Sequence, residues 1–94
     1  MKLVAYCEID LLLPMAQSLK DKRNIIKSLQ EKLRNRYNIA IAEMAHNDLW
    51  KNTTLGIVTL GNESRYLEKV LMKIIDYIVD FPEVEMINYS IDYY

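Results

Sequence analysis

The sequence predicts an α+β domain with the order β-α-β-β-α-β, a four-stranded antiparallel sheet with two helices on one face. Residues 3–13 alternate apolar and polar side chains with a period of two. Two later stretches, 19–36 and 63–80, place apolar residues at helical spacing, and short β-branched runs fill the remaining intervals. Ninety-four residues suffice for one two-layer core and not for a second, so residues 1–94 are read as a single domain.

In the first strand Leu3, Ala5, Cys7, Ile9, Leu11 and Leu13 hold the odd positions, and Tyr6, Glu8 and Asp10 stand among the even ones. One face is therefore buried. Pro14 ends the strand, because it has no N–H to give to a ladder. Ser18 followed by Asp21 resembles a capping box and sets a helix start at Leu19. Leu19, Ile25, Ile26, Leu29 and Leu33 form its apolar stripe, which runs out near Tyr37-Asn38. Ile39 to Met44 is short and moderately β-branched and reads as the second strand. His46 to Asn52 is a loop with one large aromatic, Trp50, read as a plug at the end of the core. Thr54 to Leu60 is the third strand. Gly61-Asn62 supplies a turn and an N-cap for a second helix from Glu63, whose stripe is Leu67, Val70, Leu71, Ile74 and Ile78. Phe81-Pro82 closes that helix, and Met86 to Tyr93 is the last strand. Met15, Met44, Met72 and Met86 read as core or edge fillers.

This order is the split β-α-β arrangement, in which the odd positions of the first strand meet the helices. The opposite sheet face is left uncovered. By the period of two it carries Tyr6, Glu8 and Asp10, then Val58 and Leu60, then Asn88, Ser90 and Asp92.

Half the residues are hydrophobic, 27% are charged, and there are only two glycines and two prolines, so the chain reads as compact rather than disordered. The first residues meet acid at Glu8, too early for a signal peptide, and no apolar run approaches the ~20 residues of a membrane span. A cytoplasmic location is expected. The lone Cys7 excludes an intrachain disulfide and reads as a buried small apolar residue.

Three segments taken together carry a resemblance: Ser18-Leu19-Lys20-Asp21-Lys22-Arg23, then Leu33-Arg34-Asn35-Arg36-Tyr37-Asn38-Ile39 leading to Ala42-Glu43, then Asp48-Leu49-Trp50. The chain resembles the small bacterial YlxP-like family over nearly its whole length. The resemblance implies a ferredoxin-like fold, no established activity and no catalytic residues to carry over. Genes of that family often lie beside translation and ribosome-maturation genes, so the resemblance also implies an RNA or ribosome context by association. Tyr37 and Ile39 stand where relatives are expected to carry Phe and Val.

Charge is the other informative feature. Leu19 to Arg36 holds seven basic and two acidic residues, a local charge of +5, while the other 76 residues carry −6. Lys20, Arg23, Lys27 and Arg34, separated by 3, 4 and 7 residues, form one stripe offset from the buried one. Such a stripe can track the phosphates of RNA, with Lys22 and Arg36 as further candidates. A solvated helix face, its last-turn cations complementing the helix dipole, explains the same run. Ser18 reads as a cap rather than a phosphate site, and Gly56 and Gly61 form no phosphate loop.

The uncovered sheet face sets Tyr6 beside two carboxylates, which would repel a nucleic-acid backbone. Tyr6, Val58, Leu60 and Tyr94 suit a protein contact instead, a homodimer or other adaptor interface, or a small-ligand module, and Tyr89 and Tyr93 are candidates to join it. Enzymatic readings have little support. His46 with Asp48 and Glu43 can be drawn as a metal or acid-base cluster, and Glu8 with Asp10 as paired carboxylates. Neither comes with the matched groups a site needs. No Ser-His-Asp or Cys-His arrangement is present. The chain is expected to be non-enzymatic, without cofactor or metal, and associated with RNA, the ribosome or a second copy rather than a membrane.

Overall fold

Six elements follow one another in a computed structural model that describes residues 2–94: β1 (Leu3–Leu12), α1 (Leu19–Arg36), β2 (Ala40–Ala45), β3 (Asn52–Gly61), α2 (Ser64–Val79) and β4 (Glu85–Tyr93). The strands form one antiparallel sheet in the order β2-β3-β1-β4. This is the ferredoxin-like α+β fold expected from the sequence. Among the described residues no helix is long and apolar enough to cross a membrane.

Register decides which residues meet the helices, since antiparallel partners share a face. Ala5, Cys7, Ile9 and Leu11 stand opposite Thr59, Ile57, Leu55 and Thr53. Against this face pack Ile25, Ile26, Leu29 and Leu33 of α1 and Leu67, Leu71, Ile74 and Ile78 of α2, all buried. The other face is uncovered, as expected, and reads as successive rows. Val4 pairs with Leu60 and exchanges two backbone hydrogen bonds with Tyr94. Tyr6 pairs with Val58 and Asp92, Glu8 with Gly56 and Ser90, and Asp10 with Thr54 and Asn88. All eight residues assigned to this face lie on it. Gly56 makes room there for two side chains: a Cβ would sit 2.7 Å from Met44 Cγ and 2.9 Å from Tyr6 Oη, so both would have to shift.

Two register shifts, at Asp10/Leu11 against β4 and at Glu43/Ala45 in β2, are each one residue wide. Tyr89 and Tyr93 pair with Ile9 and Ala5, so they lie on the helix side of β4 rather than on the open face. Tyr89 Oη points at Met72 Sδ on α2, 4.0 Å away. Other expectations are also corrected. Met15 and Met44 are largely exposed rather than fillers, and Trp50 does not plug the core but stands half in water.

The start of α1 follows the capping box closely. The Asp21 N–H donates to Ser18 Oγ at 3.0 Å, and Asp21 Oδ2 accepts from the Gln17 N–H at 3.0 Å. The box closes one residue before the cap. α2 differs: its cap is Glu63, with no side-chain hydrogen bond, and Asn62 does not serve. Replacing Ser18 by Ala removes the acceptor and should cost about 1 kcal/mol, a fall of roughly 4–8 °C in the thermal midpoint by circular dichroism. A change below 1 °C would show that the Asp21–Gln17 bond holds the helix start alone.

Candidate functional site

Lys22 shares a helical face with Ile25, Ile26, Leu29 and Leu33, the face that packs on the sheet. Only 1% of its side chain is exposed, and its Nζ lies 2.7 Å from Glu43 Oε2. Glu43 points inward because it falls two residues after buried Ile41 on β2. Thr53 Oγ1 donates to the same carboxylate oxygen at 2.7 Å, and Lys22 Nζ also donates to the His46 carbonyl. Among the described residues no buried side-chain nitrogen or oxygen lacks a partner. Lys22 is therefore removed from the phosphate-facing candidates, since its charge is spent inside the domain.

The same ammonium shapes the β2–β3 loop. His46 adopts a left-handed backbone, φ 66°, and its carbonyl also accepts the Leu49 N–H at 3.0 Å. What matters at His46 is the main chain; its imidazole is exposed. Glu43, drawn with His46 and Asp48 as a possible cluster, is committed to Lys22 and Thr53. Among the described residues no three His, Cys, Asp or Glu side chains are placed to hold a metal ion.

Beside this network α1 and the edge strand β2 enclose an open groove of about 380 Å³. Arg23, Lys27 and Arg34 line its helix wall, and Ile41, Ala42 and Glu43 its strand wall. The three cations span roughly 16 Å of helix axis. Lys20, exposed one turn closer to the helix start, continues the stripe. Arg34 Nη2 reaches the Ile41 carbonyl at 3.4 Å, a weak bond across the open edge. Among the described residues Lys22–Glu43 is the one ion pair, so none of the four stripe cations has a carboxylate partner.

Arg36, the further candidate beside the stripe, faces away from it. It lies on the α2 side of the helix, its guanidinium 4.7 Å from the centre of the Tyr77 ring, while Lys32 sits 5.2 Å from that of Phe81. Arg36 ties α1 to α2, and Lys32 ties it to the segment just after α2, both through aromatic faces.

The second surface is the open sheet face, where the four expected contact residues do come together. Tyr94 and Leu60, 73% and 71% exposed, flank Val4, with Tyr6 and Val58 in the next row. Beyond them the face turns acidic. Tyr6 Oη donates to Glu8 Oε2 at 2.6 Å, and Thr54 Oγ1 to Asp10 Oδ1 at 2.7 Å. The bond to Glu8, with burial and the Glu8 charge adding to it, raises the Tyr6 phenol from 10.0 to about 12. Cys7 lies on the helix side, where burial pushes its thiol up to about 11, which keeps it protonated and out of reach.

Residues 4–91 match the family described as a protein of unknown function, DUF503. The chain belongs to this family. A relative from Bacillus subtilis (strain 168), described as uncharacterized protein YlxP, is 30% identical over 83 residues, which is 88% of this chain and 90% of the relative. The YlxP-like resemblance is thereby shown. Two solved structures share the architecture. The de novo designed protein Foldit4 matches with a TM-score of 0.52 at 13% identity, over 100% of this chain and 94% of that one. The de novo designed protein Ferredog-Diesel matches at 0.50 and 8% identity, over 95% and 83%. Designs so distant in sequence speak for the DUF503 fold alone.

Two outcomes are expected. Lys22→Met should strand the Glu43 carboxylate, which keeps 19% of its side chain exposed. The cost should be about 3 kcal/mol in urea unfolding, and Lys22→Met with Glu43→Leu should recover most of it. Equal losses in single and double variants would mean that packing, not charge, is at stake. Tyr6 ionises near 10 when unfolded and near 12 when folded, so its stabilising contribution is complete below pH 10 and is lost as pH rises to 12. Tyr6→Phe should flatten the fall of stability across that window, and wild type and variant losing stability in parallel there would count against it.

Proposed function

We propose that this chain is a non-enzymatic accessory protein, RNA- or ribosome-associated, that holds the phosphate backbone of single-stranded RNA along the groove between α1 and β2. The observation that supports this is the electrostatic state of the groove. Arg23, Lys27 and Arg34 line it without carboxylate partners, and Lys20 extends the line. Glu43, the one acid on its walls, already receives Lys22 and Thr53 on Oε2. The groove is thus a local excess of positive charge in a chain of net charge −1. Guanidinium groups suit phosphate in particular, because their planar fork donates two parallel hydrogen bonds.

A second reading rests on the row formed by Tyr94, Val4 and Leu60, three exposed apolar side chains side by side on a face no helix covers. Such a row fits a homodimer built across the open sheet. Light scattering decides it: a dimer that Leu60→Asp converts to monomer supports the reading, and a monomer at millimolar concentration removes it.

For the RNA reading, fluorescence anisotropy of labelled single-stranded RNA should give a logarithmic salt slope near −3 for four phosphate contacts. A fourfold rise in salt should then weaken binding roughly fiftyfold. Exchanging Lys20, Arg23, Lys27 and Arg34 for Glu should abolish binding in a variant that stays folded. Absence of wild-type binding at low salt would refute the reading.

A further inference from the structure

The chain has one tryptophan, and the fold leaves half of it in water. Exposure of this kind usually accompanies a mobile loop, but here the loop is fixed on both sides of the indole. Before Trp50, the His46 carbonyl binds the buried Lys22 ammonium and the Leu49 N–H. After it, the Lys51 carbonyl accepts the Leu13 N–H at 2.8 Å, and Lys51 Nζ donates to the Pro14 carbonyl at 2.9 Å. A large aromatic surface is held out to solvent on a loop anchored at both ends, which lowers the conformational entropy to be lost when something packs on it.

The surroundings identify what packs there. Trp50 lines an open concavity of about 380 Å³ together with Asp48, Leu49, Lys51 and Asn52. Asp48 repels phosphate and accepts hydrogen bonds from N–H groups. The strand wall of the cationic groove, Ile41 to Glu43, runs on through β2 into this loop, and Lys22 joins the loop to the start of α1. The groove and the Trp50 concavity share no lining residue and are joined through β2 and the Lys22–His46 bond; proteins that hold single-stranded nucleic acid combine the same two parts, phosphates on cations and a base on an aromatic ring.

We infer that Trp50 is a stacking platform for an unpaired base of single-stranded RNA whose phosphates lie along Arg23, Lys27 and Arg34. The inference rests on the RNA reading above and adds to it the residue that engages a base.

Because Trp50 is the only tryptophan, its own fluorescence reports the contact. Titration with a single-stranded RNA 10-mer should quench the emission. Trp50→Ala should weaken binding by about 5- to 150-fold, the range for loss of one stacked base, while the salt slope stays near −3. An abasic strand of the same length should bind wild type as weakly as the intact strand binds Trp50→Ala, and Trp50→Phe should keep part of the affinity. Quenching in the wild type needs no variant and stands even if Trp50→Ala unfolds. RNA binding with neither quenching nor a loss in Trp50→Ala would overturn the platform and leave the groove standing. No wild-type binding at low salt would overturn both. An emission change on raising protein concentration without RNA would overturn the inference and assign the surface to a second copy.

Discussion

A buried lysine is held only if something inside the protein takes its charge, and around Lys22 three parts of the chain do so. Glu43 supplies the carboxylate, Thr53 steadies that carboxylate, and the left-handed turn at His46 turns a carbonyl toward the ammonium. An apolar pair in the same place would hold the core nearly as well, since desolvating two ions offsets most of their attraction. What an apolar pair would not do is fix the entry to the β2–β3 loop through the His46 carbonyl. The ion pair therefore organises the path of the loop, and it also neutralises the one acid on the wall of the groove beside it.

Charge in this chain is sorted by face. The open sheet carries Glu8, Asp10 and Asp92, two of them tied to neighbouring hydroxyls, while α1 shows a row of cations to solvent. The two faces do not compete for the same ligand, because each repels what the other attracts. An overall charge of −1 hides this division, which is why net charge alone says little about partners here. Membership in the DUF503 family fixes ancestry and fold and brings no activity with it.

The fold was legible because local signals agreed. Alternation in β1, the Ser18 cap, the β-branched runs and the position of Pro14 all pointed to one topology, and the period of two assigned the open face residue by residue. What escaped was charge at positions where periodicity asks for apolar residues. Lys22 stands in register with Ile25, Ile26, Leu29 and Leu33, and Glu43 in register with Ile41. Each breaks the pattern of its own element, and two such breaks of opposite sign are a signal of pairing that was present in the sequence and not used. The contact of Arg36 with the Tyr77 ring is illegible for a related reason, since that ring lies on an element whose angle to α1 no local pattern reports. Trp50 was expected to fill space by the general habit of tryptophan, and only the anchoring of its loop from both sides shows why it does not.

The left-handed turn at His46 bears on how this chain can change over generations. Its contribution to the structure is a carbonyl direction, which any residue tolerant of positive φ can supply, and asparagine, aspartate or glycine adopt that backbone at little cost. The constraint at this position is therefore one of backbone shape, and it leaves the chemistry of the side chain open. Lys22 and Glu43 have less freedom singly, since either one changed alone leaves the other's charge without its ion-pair partner.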